Sequence, residues 1–139
     1  MSTLFHLSLP ASIHAEIISQ AQAELPNECC GILAGKIDTT RAVVTMRFQL
    51  VNALASPVEF LADDRSMFDA VRAMDRAGLD MVAVYHSHPT SAPLPSKKDR
   101  ERNYWEVLAV IVSLESADAE LRCWRLQGMD FTEIPVQLT

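Results

Sequence analysis

The chain is short of several residue types, and each shortage removes a class of protein. Cysteine occurs only at Cys29, Cys30 and Cys123. An odd, sparse set with two adjacent members does not make a disulfide scaffold, and it suits a reducing, cytoplasmic setting. Lysine and arginine are outnumbered, 12 against 18 aspartates and glutamates, for a formal net charge of −6. A chain so charged has no bulk field to attract phosphate backbones, which argues against general nucleic-acid binding. No apolar run approaches the roughly 20 residues of a membrane span. Met1 to Pro10 lacks the basic flank and apolar block of a secretion signal. Glycine is limited to four positions, and no repeat, low-complexity stretch or linker interrupts the sequence. What is present is 49% hydrophobic and 22% charged residues. That balance excludes disorder and supplies one globular domain, residues 1–139, with a real core.

Patterning predicts an α/β domain of about three helices and six or seven strands. Leu4 to Leu9 alternates weakly and reads as an opening strand. Pro10 suits the first turn of a helix, and Ile13, Ile17, Ile18 and Ala21 recur at helical spacing up to Glu24. Pro26 ends that helix. Cys29 to Gly35 and Arg41 to Val51 read as a hairpin, followed by a loop from Asn52 to Glu59. Asp63 or Asp64 can cap a second helix with Met67, Phe68, Val71 and Met74 as its apolar face and Gly78 as its stop. Leu79 to Tyr85 is a short apolar run, expected as a buried strand. Ser87 to Pro95 carries Pro89, Pro93 and Pro95 and is expected outside regular structure. Ser96 to Tyr104 reads as a short helix and Val107 to Leu114 as a strand. Ala119 to Leu126 and Asp130 to Leu138 read as strands around a turn at Gly128.

The chemistry is concentrated in Tyr85-His86-Ser87-His88-Pro89 and Ser96-Lys97-Lys98-Asp99. Side chains two apart in an extended chain leave on one face, about 7 Å apart at the backbone, so His86 and His88 can converge on one ion. The proline-rich loop can return Asp99 as an oxygen ligand. Two imidazoles and one carboxylate leave a fourth tetrahedral position for water, the arrangement of a catalytic zinc site. Zinc lowers the pKa of its water from 15.7 toward about 7. A carboxylate that is not a ligand must then take the proton, and Glu28, at the head of the apolar run, is a candidate. Ser96 could donate its hydroxyl to the oxyanion of a tetrahedral intermediate. Plainer readings stand beside these. Ser96-x-x-Asp99 is also a helix capping box, and Glu28 could be a surface carboxylate ahead of a strand.

Taken together, His86-Ser87-His88-Pro89, the residues through Pro95, and Ser96-Lys97-Lys98-Asp99 resemble the JAMM motif of MPN-plus metalloproteases. Pro26 to Gly35 is similar to the strand that begins with that family's catalytic glutamate. Asn52 with Ser56-Pro57 and Phe60, and Leu121 to Trp124, are similar to further segments. The resemblance runs from about Leu25 to Leu126. It implies a mixed β-sheet packed by helices, similar to cytidine deaminases. It implies one zinc held by His86, His88 and Asp99, with Glu28 as general base and later proton donor to the leaving amine. Ser96 would stabilise the intermediate. The implied reaction is hydrolysis of a peptide or isopeptide bond at the C-terminus of a ubiquitin-like protein. The chain's compactness resembles the stand-alone prokaryotic members, associated with ubiquitin-fold sulfur carriers.

Other residues are expected to do less. His6 and His14 read as ordinary helix or strand residues, and Cys29 and Cys30 as small buried hydrophobes, with a Cys nucleophile paired to His86 as the minor alternative. Lys97, Lys98, Arg100 and Arg102 read as a solvated face, the alternative being contact with substrate acids. Phe60, Trp105 and Trp124 are expected in the core. Edge strands or exposed apolar residues could support a homodimer. Two other functions compete: a non-catalytic MPN-type binding module, and a zinc deaminase. The second needs H-x-E with a distant P-C-x-x-C; here His86 is followed by Ser87-His88, and the chain has no C-x-x-C.

Overall fold

A computed structural model of the chain describes residues 4–139; residues 1–3, the start of the Met1–Pro10 segment read above, lie outside it. Its centre is one mixed eight-stranded sheet. The strands are β1 (His6–Leu9), β2 (Cys30–Ile37), β3 (Arg41–Leu50), β4 (Asp80–His88), β5 (Leu108–Ser113), β6 (Glu120–Gln127), β7 (Asp130–Ile134) and β8 (Val136–Leu138), in the spatial order β7-β6-β5-β4-β2-β3-β1-β8. β4 runs parallel to β5, and β1 parallel to both β3 and β8; the other neighbours are antiparallel.

Two helices cover opposite faces. α1 (Ala11–Ala23) lays Ile13, Ile17 and Ala21 on Leu7, Leu33, Tyr85, Val110 and Val112. α2 (Asp64–Arg76) lays Ala70 and Met74 on Cys30, Ile32, Ala34 and Leu50. Its start is chemically specified, because the Asp63 carboxylate accepts the Ser66 N–H at 3.0 Å. Among the described residues, no helix is long and apolar enough to cross a membrane.

Four sequence expectations need correction. β4 does not stop at Tyr85: Ser87 and His88 are strand residues, paired with Val112 and Ser113 of β5. The neighbouring strand supplies ladder partners that local sequence could not reveal, and Pro89 ends the run. Asp130 to Leu138 is two strands, because Pro135 lacks an N–H and cannot continue a ladder. β8 leaves β7 there and pairs with β1, at the far edge of the sheet. The helix expected from Ser96 to Tyr104 is only α3 (Lys97–Glu101). Phe68 is 56% exposed rather than on the packed face of α2, with the Arg72 guanidinium 5.6 Å from its ring centre.

Candidate active site

Strand parity determines which side chains can meet. In β4, Tyr85 and Ser87 point to the α1 face, so His86 and His88 point to the α2 face. In β2, Cys30 and Ile32 pack on the α2 face. Glu28, two residues before Cys30, shares their parity. Cys30 lies opposite His86, and that register continued by two residues sets Glu28 across from His88. Both imidazoles and Glu28 are buried.

Asp99 arrives from the other side of the Pro89–Pro95 loop. Three contacts pin that loop to the sheet: Trp124 Nε1 donates to Pro93 O at 2.8 Å, the Ser113 hydroxyl donates to Ser91 O at 2.6 Å, and His88 Nδ1 lies 2.7 Å from Ala92 O. The chain then enters α3 through a reciprocal cap. Ser96 Oγ accepts from Asp99 N at 3.1 Å, and Asp99 Oδ2 accepts from Ser96 N at 2.9 Å. The capping-box reading is therefore correct, and it also aims the carboxylate. Asp99 Oδ2 lies 3.1 Å from His86 Nε2 and 3.1 Å from His88 Nε2, while the two nitrogens are 3.2 Å apart.

That near-equilateral triangle can be tested against a metal. Ligand atoms on a tetrahedron with bonds of about 2.0–2.1 Å are separated by about 3.3 Å, close to all three sides. The donor chemistry agrees. The Ala92 carbonyl can only accept, so His88 Nδ1 carries the ring proton and Nε2 presents a lone pair. A lone pair facing an ionised carboxylate and a second imidazole nitrogen requires a cation or a proton between them. Burial alone would lower the His88 pKa, yet Asp99 and the Ala92 carbonyl raise it. Burial alone would raise that of Asp99, yet His86 and His88 hold it well below the usual carboxylate range. These three residues fit a metal and form the one such group found among the described residues; His6 and His14 stand outside it.

Glu28 is the other unsettled group. Its Oε1 is buried and has no hydrogen-bond partner among the described residues. Burial lifts its pKa from an ordinary 4.5 to about 7, against the pull of His86 and His88. It is thus a proton acceptor of nearly neutral strength beside the candidate metal ligands, not the surface carboxylate of the plainer reading. The Cys nucleophile fails on the same grounds: burial pushes Cys29 to about 11 and Cys30 to about 12, far from a thiolate at neutral pH.

A cavity of about 270 Å³ opens beside the triangle, with His86 and Asp99 in its wall. Leu50, Phe60, Met67, Val84 and Trp105 make it mainly apolar. Trp124 is core, as expected, but Trp105 is 50% exposed at the cavity. The basic cluster is not a uniform solvated face either. Lys98 and Arg102 both reach Glu59, at 2.8 and 3.4 Å, while Arg100 covers the Phe131 ring at 5.5 Å.

Residues 10–127 match the family described as prokaryotic homologs of the JAB domain. The chain belongs to that family. A desampylase of Haloferax volcanii is 34% identical, over 96% of this chain and 97% of its own length. A CysO-cysteine peptidase of Mycobacterium tuberculosis is 29% identical, over 98% of this chain and 93% of its own. The solution structure of a protein from Desulfitobacterium hafniense superposes with a TM-score of 0.87 at 27% identity, over 96% of this chain and 92% of that one. The resemblance read from the JAMM motif is borne out, and so is the mixed sheet it implied.

Within this JAB-family site, sequence reasoning left three contributors without a role. Phe60 stacks on the His86 ring, centroids 4.6 Å apart and planes 24° apart. Ser87 was only the residue between two histidines, yet its hydroxyl accepts the Cys29 N–H at 2.8 Å on the opposite face. Asn52 was only a point of resemblance, and it is buried with its whole amide engaged. The sequence placed Asn52 only at the start of a loop, and its burial, which requires partners for its amide, belongs to the fold.

Proposed function

We propose that this family member, a peptidase like its named relatives, is a zinc enzyme that hydrolyses a peptide or isopeptide bond at the C-terminus of a ubiquitin-like, sulfur-carrier type protein. The observation that carries the reading is the triangle of His86, His88 and Asp99, with sides of 3.1–3.2 Å, beside an unpartnered buried Glu28. The names of the relatives and the JAMM resemblance supply the substrate class.

In this reading His86 Nε2, His88 Nε2 and Asp99 Oδ2 hold the zinc. When bound, zinc supplies Lewis acidity and a water acidic enough to ionise near neutral pH. Glu28 Oε1 takes the proton of the attacking water and later delivers it to the leaving amine. The Ser96 hydroxyl already accepts from Asp99 N, which leaves its own hydrogen free to donate to the oxyanion. The apolar cavity admits the chain next to the scissile bond and excludes water from it. The three free, buried cysteines suit a reducing cytoplasm. Because β1 pairs with β8, the first and last strands close on each other, and the chain is read as one domain.

The test is metal analysis together with intact-mass analysis. Purified protein should carry about one zinc per chain and should shorten ubiquitin-fold proteins bearing C-terminal extensions. His88→Ala should lose both properties. Full cleavage by His88→Ala, or by metal-free protein, would overturn the reading.

A further inference from the structure

The loop between β3 and α2 touches the candidate site at three places. Glu28 N donates to Ser56 O at 2.8 Å, Phe60 covers His86, and Glu59 binds Lys98, the residue before Asp99. One side chain organises that loop. Asn52 Oδ1 accepts from Leu54 N and Leu61 N, both at 3.1 Å. Its Nδ2 donates to Glu28 O at 3.0 Å and to Glu59 O at 3.1 Å. All four hydrogen-bonding positions of the amide are filled, and Asn52 is 8% exposed.

The other side of the Glu28–Cys29 peptide is held as firmly. Ser87 Oγ accepts from Cys29 N at 2.8 Å, and Ser87 N donates to Cys29 O at 3.1 Å. The Glu28 backbone thus has its N–H, its C=O and the following N–H committed to three different partners. Its carboxylate has an oxygen with none. No hydrogen bond among the described residues directs the carboxylate itself, so the backbone is the part of Glu28 that the fold holds in place.

We infer that Asn52 and Ser87 are positioning residues for Glu28: together they clamp the peptide on which it stands and hold the unpartnered carboxylate oxygen toward the reacting water. This rests on the role proposed for Glu28. Asn52 also ties that peptide to the loop bearing Phe60 and Glu59, so the proton acceptor and the His86 ligand are set by one side chain.

The experiment compares Asn52→Asp, Ser87→Ala and Ser87→Thr with the wild type, all loaded with zinc. Asn52→Asp keeps the acceptor and replaces the double donor with an oxygen facing two carbonyls. Three measurements are made: zinc content, amide hydrogen exchange at Glu28 and Cys29, and turnover of a ubiquitin-fold carrier with a short C-terminal extension. Asn52→Asp and Ser87→Ala should keep about one zinc per chain and lose exchange protection at these amides. Their kcat should fall about 10- to 100-fold with KM within about twofold, the cost of misplacing a reacting group by a fraction of an ångström. Ser87→Thr, which keeps the hydroxyl, should regain most of the loss. If Asn52→Asp does not fold, the Ala and Thr pair at Ser87 decides. Unchanged kcat, a loss confined to KM, loss of zinc, or no rescue by Thr would each overturn the inference. If the wild type cleaves no carrier, the proposed function fails, and the exchange and zinc data still decide whether the clamp exists.

Discussion

Glu28 is the residue whose burial has the largest chemical consequence. Its folded pKa, about 7, lies above its ordinary 4.5. The folded metal-free protein therefore binds a proton there that the unfolded chain has released over that interval. The associated stability is fully present below about pH 4.5 and is lost as the pH rises through 7. Metal-free Glu28→Gln should match the wild type at pH 4.5 in urea denaturation and exceed it by up to about 3 kcal/mol at pH 8. With zinc restored, the same variant should keep its metal and lose kcat by about 10²- to 10⁴-fold. Ser96 needs a variant that separates two jobs. Ser96→Gly costs the cap only a few tenths of a kcal/mol and lacks the hydroxyl, while Ser96→Ala lacks both. If the hydroxyl serves the oxyanion, both should lose about 10²-fold or more in kcat. Recovery in Ser96→Gly would reduce Ser96 to its cap.

At the scale of elements, β2 and β4 together aim the site, and their contact depends on a missing side chain. A Cβ on Gly31 would lie 2.1 Å from the Tyr85 ring. The ring cannot retreat, because its hydroxyl is held by Arg47 and Gln20 on the α1 face. Gly31→Ala should cost about 1–3 kcal/mol or more in urea denaturation. It should also weaken zinc binding, since Tyr85 adjoins His86. Elements with their own periodicity or punctuation were readable: α1 from its isoleucines, α2 from its cap, the β2–β3 hairpin from its alternation. Those decided by a neighbour were not. His88 belongs to a strand because β5 pairs with it, and Val136–Leu138 finds β1 across the sheet, a partnership no local window contains.

At the scale of the whole molecule, the proposed metal site should couple metal affinity to folding stability, because the three candidate donors converge only when β4 and α3 are both in place. Zinc at about 100 times its Kd should stabilise the fold by about 2.7 kcal/mol, and a chelator should remove that gain. The check is Tm with and without zinc: the wild type should shift by several degrees, and Asp99→Ala should not respond. An unresponsive wild type would mean that the triangle does not hold metal.

The sequence by itself determined the candidate donor set and its order along the chain. His86, His88, Ser96 and Asp99 are legible because the chemistry demands those residue types, and because i and i+2 in a strand and i and i+3 in a capping box are local geometries. It also determined that charge, cysteine content and hydropathy leave a compact acidic α/β chain. Only the tertiary structure decided that Glu28 stands beside them, that its carboxylate is buried with an unpartnered oxygen, and that Asn52 and Ser87 bind the peptide on which it stands. Those contacts join residues 24 to 58 positions apart. Burial and long-range hydrogen bonding belong to the folded arrangement, and no pattern within a single segment encodes them.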